Sequence, residues 1–203
     1  MSTRQIYKHP PVVEATIEIG FKPTEQKSLD DFKPILGLLN NEYEKKSDQF
    51  LTSFEIDMDP AQGGVQKPVR KTTGYLIHHK KENQYFIAGL ERFTFSRLHP
   101  YKNWEHFSTE TKRIWKHFKK IACAENITSI SLRYLNRIKL PKEITRLNEH
   151  LNTFPGLPHD LGFPISKYLM KLELVPDQSC TLTFTNALES EGTAPNQTPV
   201  AVL

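Results

Sequence analysis

Hydrophobic and polar residues alternate from Val12 to Phe21, which is the pattern of a strand with one buried face. The apolar positions of this strand are Val13, Ala15, Ile17 and Ile19. A helical spacing follows, because apolar residues recur at intervals of three and four after Ser28 and two acidic residues. This spacing predicts a helix that Ser28 caps and whose apolar stripe comprises Phe32, Ile35, Leu36, Leu38 and Leu39.

Three further segments are rich in aromatic and β-branched residues and predict an antiparallel meander. They are Gln49–Asp59, Arg70–Lys80 and Gln84–Leu98, with a tight turn over residues 81–83. The segment Pro60–Pro68 contains two consecutive glycines and little apolar bulk. It therefore predicts a mobile surface loop.

The segment from Asn103 to Ala122 has a clear helical pattern. Its apolar positions are Trp104, Phe107, Thr111, Ile114, Trp115, Phe118 and Ile121. Lysine and arginine occupy the opposite face, and Glu105 and Glu110 lie nearer the start, so the charges follow the helix dipole. The dipole is thus a structural reason for the basic residues.

Period-two alternation returns from Thr128 to Leu140. It places Ile130, Leu132, Tyr134 and Ile138 on one face and Arg133, Leu135, Arg137 and Lys139 on the other. A short helix over Lys142–Leu151, a proline-containing loop, and strands near Lys167–Val175 and Cys180–Leu188 are predicted next. The closing segment Pro199–Leu203 is apolar and would form an exposed edge unless it pairs with its neighbour, so we expect a truncated form of a longer protein.

Taken in order, these elements predict an α+β fold with a curved, mainly antiparallel sheet and helices on one face. We expect a single domain over residues 1–203. The order of elements also suggests two related β-α-βββ-α halves, 10–122 and 126–203, of which the second is incomplete. Such a pair would resemble the TBP-like fold.

Composition narrows the class of protein. The chain of 203 residues is 37% hydrophobic and 25% charged, which is typical of a globular protein. It has no apolar run long enough to cross a bilayer and no secretory leader, so we expect a cytoplasmic location and no membrane partner. Its two cysteines, Cys123 and Cys180, lack the spacing of a metal site and are expected as free thiols. The net charge of +4 permits an anionic partner without requiring one.

Three stretches of the chain resemble one family when they are taken together. They read PPVVEATIEI at 10–19, FSRLHPYKNW at 95–104 and LRYLNRI at 132–138. The family is a sporadically distributed one of uncharacterised bacterial proteins, and the resemblance extends from Pro10 to the end of the chain. Family members commonly have arginine near Gly20 and proline at His99, and they continue into a further strand and a long helix. The resemblance implies a bacterial protein linked by analogy to defence or mobile genes, and it implies no activity.

The strongest candidate for a binding surface combines basic and aromatic residues. Its members are Arg97, Tyr101, Trp104, Arg133, Asn136 and Arg137. Basic side chains on a strand face, with aromatic rings near a helix start, suit an anion or a nucleic acid. The alternative is structural: the strand face is solvated, and the two aromatic rings fix the helix to the core. Asn136 lies among apolar neighbours, so its amide should be hydrogen-bonded, to Arg97 or to backbone.

Two acidic patterns allow a metal or phosphate chemistry. Glu55, Asp57 and Asp59 alternate along one strand and could bind Mg²⁺, although acidic residues also protect edge strands from pairing. Glu14 and Glu18 could act with strand-face cations to hold a polyphosphate and a metal. The cations concerned are Arg92, Arg133, Arg137 and Lys171. The first strand reads Glu18-Ile-Gly20-Phe-Lys22, so the second carboxylate of a triphosphatase tunnel motif is absent.

The known signatures of zinc sites, nucleophile elbows and phosphate-binding loops are missing from the sequence. We therefore interpret the chain as a non-enzymatic binding or regulatory protein, with no cofactor and no metal. We expect a protein partner, and the basic strand also permits a nucleic acid. The alternative is a metal-dependent phosphohydrolase or nuclease. The sequence leaves the oligomeric state open.

Overall fold

The computed structural model of the chain describes residues 10–59, 63–141, 147–153, 167–191 and 198–203. Within these ranges the side chains of 46, 50–59, 63–71, 190–191 and 198–199 are not described. Contacts divide the chain into two compact units. The larger unit is Ala15–Arg133, and the smaller one combines Met1–Glu14 with Tyr134–Leu203.

Strands form most of the described structure. Their bounds are β1 Val12–Lys22, β2 Tyr43–Asp59, β3 Gly63–His79, β4 Gln84–Gly89, β5 Arg92–Leu98, β6 Asn126–Lys139, β7 Tyr168–Asp177, β8 Cys180–Glu191 and β9 Thr198–Val202. The helices are α1, Lys33–Leu39, and α2, Trp104–Ala122, with 3-10 turns at Leu29–Phe32 and Leu147–Glu149. The register of the strand pairs is antiparallel in β2–β3, β3–β4, β4–β5, β6–β9, β7–β8 and β8–β9. The prediction of an α+β fold with an antiparallel sheet is confirmed.

In the larger unit the strand order is β2-β3-β4-β5-β1-β6. Helix α2 packs on one face of this sheet through aromatic rings. The ring of Phe118 lies 5.7 Å from Phe21 of β1, 5.1 Å from Phe93 of β5 and 5.4 Å from Phe32 of the first 3-10 turn. Edge-on and tilted aromatic contacts of this kind add to the stabilisation that burial provides.

The start and end of α2 follow from local chemistry. The side chain of Asn103 accepts a hydrogen bond from the backbone N–H of His106 at 2.8 Å, which satisfies a donor that the helix cannot. The helix ends at Cys123, whose backbone is left-handed, with φ of 49°. Lys119 and Lys120 lie in the last turn, as the predicted dipole arrangement requires. The predicted helix from Asn103 to Ala122 is confirmed with Asn103 as its cap.

Ser28 forms the predicted cap of the first helical segment. Its backbone N–H donates to the carboxylate of Asp31 at 2.7 Å, and its hydroxyl donates to the same oxygen at 3.0 Å. Phe32, Ile35 and Leu39 are buried as predicted. Leu38 is not, because 61% of its surface is exposed, and a helix as short as α1 has room for only a narrow buried stripe.

The meander differs from the prediction in three places. Strand β2 begins at Tyr43 rather than at Gln49. Residues 84–98 form two strands rather than one, because a turn at residues 90–91 returns the chain and pairs Phe86 with Phe95. Strand β3 begins at Gly63, so most of the predicted loop Pro60–Pro68 is paired with β2, and residues 60–62 lie outside the described part. The paired backbone of the long β2–β3 hairpin overrides the low apolar content of this segment.

Strand β6 has the predicted extent but not the predicted burial. The side chains of Ile130 and Leu132 are 68% and 48% exposed, although alternation placed both on a buried face. Periodicity shows which residues share a face, but it does not show whether another element covers that face. Arg133 and Arg137 are exposed, as expected.

The smaller unit has the strand order β6-β9-β8-β7. Strand β9 lies between its neighbours: Val202 is paired with Arg137 of β6 and with Ala187 of β8. The core of the unit is a small apolar cluster beside the second 3-10 turn. It contains Leu140, Leu147, Leu151, Leu188 and Ala201, with Ile138 and Tyr168 packed against it. The predicted helix Lys142–Leu151 is described only in its last part, where the 3-10 turn Leu147–Glu149 stands.

Candidate functional site

A polar cleft of about 310 Å³ opens in the larger unit, where the first half of α2 meets the ends of β3 and β4. Its lining consists almost entirely of charged and hydrogen-bonding side chains: Glu42, His79, Glu82, Gln84, His106, Glu110 and Arg113. Polar side chains of this kind must find partners when they are partly buried. The partners therefore decide which groups are available to a ligand.

Glu110 of α2 is the centre of one network in the cleft. Its carboxylate accepts from the Tyr43 hydroxyl at 2.8 Å and from Arg113 through both Nε and Nη2 at 2.8 Å. Gln84 donates to Tyr43 at 2.7 Å and to Glu110 at 3.3 Å. Burial alone would raise the pKa of Glu110, but the hydrogen bonds and charge of Arg113, with the Tyr43 hydroxyl, lower it. Glu110 is thus an ionised group whose oxygens are already occupied.

Arg97 of β5 is the centre of a second network. Its guanidinium donates to Glu82 and to the side-chain oxygen of Gln84, so Gln84 joins the two networks. Arg97 is only 5% exposed, and its Nε has no hydrogen-bond partner among the described residues. Burial alone would raise the pKa of Glu82, but the hydrogen bond and charge of Arg97 lower it. Arg113 also contacts Glu42, so each of these three carboxylates faces an arginine.

Two imidazoles line the cleft. The Nδ1 atom of His79 accepts from the backbone N–H groups of Lys81 and Glu82 at 3.1 and 2.9 Å, so the neutral ring carries its proton on Nε2. The pKa of His106 is lowered, chiefly by burial and also by the charges of Arg97 and Lys102. The lowered pKa of His106 favours its neutral form, in which one ring nitrogen donates and the other accepts a hydrogen bond.

The predicted aromatic members of the binding surface serve the core. The ring centroids of Tyr101 and Trp104 both lie 6.0 Å from that of Phe107, a buried residue of α2. Arg97 is buried in its network with Glu82 and Gln84 and does not reach solvent as a free cation. The ring contacts are those that the structural alternative expected, whereas neither interpretation expected the burial of Arg97.

The remaining predicted binding residues lie on β6. Arg133 is exposed and belongs to the larger unit, whereas Asn136 and Arg137 belong to the smaller one. The backbone of Asn136 pairs with Leu203, with N–H to oxygen distances of 2.7 and 3.0 Å. Arg137 donates its backbone N–H to Pro11 at 2.9 Å. At Asn136 and Arg137, the backbone of β6 is therefore hydrogen-bonded to a neighbouring segment on each side.

The acidic candidates are placed differently from one another. Glu18 pairs with Arg92 at 3.1 Å on the surface of the larger unit. Lys171 is an exposed residue of β7 in the smaller unit. The side chains of Glu55, Asp57 and Asp59 lie outside the described residues. Among the side chains that the structure describes, no three His, Cys, Asp or Glu residues form a group that could hold a metal ion.

A second surface, which the sequence analysis did not single out, lies on the β7–β8 hairpin. Leu172 is directly opposite Phe184, and Leu174 is directly opposite Leu182, so these four side chains share one face. We call them the hairpin apolar face. The leucines at 172, 174 and 182 are 42%, 50% and 53% exposed, whereas Leu188 at the base of the same hairpin is 3% exposed. The sequence shows the alternation in Tyr168–Asp177, but it does not show that the apolar side chains of this strand are left exposed.

The outer part of the opposite face of the hairpin is polar, although Leu169 near the base of that face is 74% exposed. Lys171 and Glu173 on β7 and Thr183 and Thr185 on β8 are exposed there. In its outer part the hairpin therefore has apolar side chains on one face and polar side chains on the other, and the core of the smaller unit covers its base. Large exposed apolar patches are found at protein or membrane interaction sites, in ligand-binding grooves and on aggregation-prone surfaces.

No helix in the part of the chain that the structure describes is both long and apolar enough to span a membrane. Searches against protein families, curated proteins and solved structures returned no match to this chain.

Proposed function

We propose that this chain is a non-enzymatic binding module whose partner is a protein, and that the hairpin apolar face is the contact surface. The observation that carries the proposal is the uncovered ladder of Leu172, Leu174, Leu182 and Phe184 at the outer part of a regular two-stranded hairpin. Apolar side chains at 42–53% exposure gain free energy when a partner removes them from water, roughly 25 cal/mol for each Å² buried.

The charged groups of the cleft also support a non-enzymatic role. Glu42, Glu82 and Glu110 each contact an arginine, so their charges are neutralised before any ligand arrives. A general base or a nucleophile needs a group that can accept a proton or attack, and a carboxylate that an arginine engages does neither efficiently. The arginine contact of Glu110 is bidentate, whereas among the described residues Glu42 and Glu82 each have a single contact. The networks therefore suit a structural role for the cleft.

The phosphohydrolase alternative makes a different demand, namely free carboxylates beside cations and a divalent metal. A phosphohydrolase site would use the ion pair of Glu18 on β1 with Arg92 on β5. Calorimetric titration with Mg²⁺ and Mn²⁺ tests it. Heat of binding at sub-millimolar metal, lost in Glu18→Gln, would favour this alternative over the binding module.

The proposal is tested by changing one face of β8 at a time. Leu182→Lys places a charge on the hairpin apolar face, and the matched control Thr183→Lys places the same charge on the polar face one residue away. Both variants, and the unchanged chain, are used to capture proteins from a bacterial lysate, and captured proteins are then purified and titrated back. We expect a protein that binds the unchanged chain and Thr183→Lys with similar Kd and binds Leu182→Lys at least about tenfold more weakly, or about 1.4 kcal/mol.

Circular dichroism and urea denaturation of both variants establish that the fold is kept. Since Leu182 is half exposed, its replacement should cost less than about 0.5 kcal/mol of stability, as expected for a surface position. The proposal fails if the purified binders bind the two lysine variants equally well.

A further inference from the structure

We propose that His79 is a pH-sensitive latch of the cleft: its neutral ring holds the turn between β3 and β4 in place, and its protonated ring releases that turn. The turn comprises residues 80–83, between the end of β3 and the start of β4. The latch lies within the larger unit and does not depend on the hairpin apolar face.

The ring of His79 holds the turn through one nitrogen. Its Nδ1 atom accepts from the backbone N–H of Lys81 at 3.1 Å and from that of Glu82 at 2.9 Å. These two N–H groups have no other acceptor among the described residues. Lys80, by contrast, donates its backbone N–H to the carbonyl of Glu42 at 2.7 Å. The middle of the turn therefore depends on Nδ1 of His79.

Protonation removes the acceptor on which the turn depends. A protonated imidazole carries an N–H group at both ring nitrogens and accepts no hydrogen bond. In that form Nδ1 would direct a third N–H group at two backbone donors. The ring and the turn must therefore separate when His79 takes up a proton. Histidine is the side chain that ordinarily does so between pH 8 and pH 5.

The surroundings of the ring favour uptake of the proton, whereas the two turn bonds oppose it. The carboxylates of Glu82 and Glu110 interact electrostatically with His79. Against the effect of burial, the arginine contacts lower the pKa of both carboxyl groups, so both stay ionised as the pH falls from about 7 to about 5. Tyr43 faces the ring edge-on at 4.9 Å. The charged or titratable groups that complete the surroundings are Lys80 and Lys81 of the turn, Glu42, Arg97, His106 and Arg113.

Release of the turn reaches the second network of the cleft because Glu82 belongs to both. The backbone of Glu82 is held by His79, and its carboxylate contacts the buried guanidinium of Arg97. The far end of the turn has a separate anchor, because the carbonyl of Asn83 accepts from the backbone N–H of Leu98 at 2.7 Å. Opening is therefore confined to the first part of the turn and moves Glu82 relative to Arg97.

NMR of the whole chain from about pH 7.5 to about pH 5 tests the latch. At the upper pH we expect an unprotonated Nδ1 and slow hydrogen exchange at the Lys81 and Glu82 amides. If protonation requires the open turn, the open population rises about tenfold for each pH unit below the range in which histidine titrates. The protection factors of the two amides, which correct for the intrinsic pH dependence of exchange, should fall by that factor. Their chemical shifts should change with the same midpoint as the ¹⁵N shift of Nδ1.

Two variants separate the latch from other effects of pH. In His79→Asn the side-chain oxygen can replace Nδ1 as acceptor and does not titrate. We expect both amides to stay protected in this variant, with no change over the pH range. His106→Gln is the matched control, because it removes the other imidazole of the cleft and should leave the pH response unchanged. The amides of Phe86 and Phe95, which are paired within the sheet, should stay protected throughout.

Each outcome supports or overturns the latch. Amides of Lys81 and Glu82 that keep their protection down to about pH 5 overturn it, and so does an equal loss of protection in His79→Asn. Loss of the response in His106→Gln assigns the effect to that residue instead. Opening of the Phe86 and Phe95 amides at the same pH identifies general unfolding and also overturns the latch. Should His79→Asn not fold, the unchanged chain decides, because separate midpoints for Nδ1 and the two amides contradict a shared transition.

Discussion

Replacing Tyr43 by phenylalanine removes one hydroxyl from the networks of the cleft and keeps the ring. Tyr43 is 2% exposed, and its ring packs against Phe86 at a centroid distance of 5.3 Å, which phenylalanine preserves. The hydroxyl donates to Glu110 at 2.8 Å and accepts from Gln84 at 2.7 Å. Burial, together with the nearby carboxylate of Glu110, raises the pKa of Tyr43, so the hydroxyl stays protonated and remains a donor.

The expected cost follows from the two lost hydrogen bonds. A bond to a charged acceptor contributes about 1.5–3 kcal/mol, and one between neutral groups about 0.5–1.5 kcal/mol. Glu110 keeps its contacts with Arg113 and Gln84, which limits the penalty of losing one donor. We therefore expect Tyr43→Phe to lower the free energy of unfolding by about 2–3 kcal/mol. For a chain of this size that corresponds to a fall in Tm of about 5–10 °C.

The assay is urea unfolding at pH 7, followed by tryptophan fluorescence and by circular dichroism. Tyr75→Phe is the matched control, because it removes the hydroxyl of another buried tyrosine of the same sheet. Tyr75 is 6% exposed, and among the described residues its hydroxyl donates to Asp30 at 3.5 Å. We expect this control to cost less than about 0.5 kcal/mol, since a contact of that length is a weak hydrogen bond.

A double-mutant cycle decides whether the network acts as a unit. Tyr43 and Glu110 are the two partners of one hydrogen bond. The effects of Tyr43→Phe and Glu110→Gln on the free energy of unfolding should therefore differ from additivity by about 0.5 kcal/mol or more. The reasoning would be refuted if Tyr43→Phe cost no more than Tyr75→Phe, or if the effects of the two network substitutions simply added.

Three further predictions concern the larger unit. Asn103→Ala should cost about 1 kcal/mol, measured by urea unfolding, because α2 loses its cap. Gly74→Ala should lower the free energy of unfolding by about 1–3 kcal/mol, since a Cβ there would lie 2.7 Å from the backbone oxygen of Ala88. In Gly37→Ala the added Cβ would have no atom within 4 Å, so this change should stabilise α1 by up to about 1 kcal/mol. Folding lowers the pKa of Glu110 from its ordinary value of 4.5. Ionised Glu110 therefore stabilises the folded chain fully above pH 4.5, and this stabilisation is lost as the pH falls through the pKa of the folded state. Urea midpoints from pH 7 to pH 3 should therefore fall less steeply in Glu110→Gln than in the unchanged chain.

Much of the secondary structure follows from local pattern. The cap at Asn103, the apolar stripe through Phe107, Ile114 and Phe118, and the charge order along α2 lie within one continuous segment. Each therefore depends on neighbours a few residues away, and sequence spacing reveals them. The extent of β6 was predicted for the same reason.

The networks of the cleft were not predictable in this way. Tyr43 and Glu110 are 67 residues apart in sequence, and Tyr43 and Gln84 are 41 apart. Arg97 was predicted as part of a binding surface, whereas folding buries it beside Glu82. The pair of Glu110 and Arg113 has the local i,i+3 spacing of one helix. The contacts of Tyr43 with Glu110 and of Glu42 with Arg113 join distant segments, so no local spacing predicts them.

By itself, the sequence determined the elements: the alternation of β1 and β6, the spacing of α2 and its cap, and hence an α+β chain with an antiparallel sheet. Only the tertiary structure decided which apolar faces are covered. Leu188 and Leu182 occupy the same face of one strand, yet the first is 3% exposed and the second 53% exposed. The physical reason is that period-two alternation assigns side chains to a face, whereas burial depends on the residues that pack over it, and these come from distant parts of the chain.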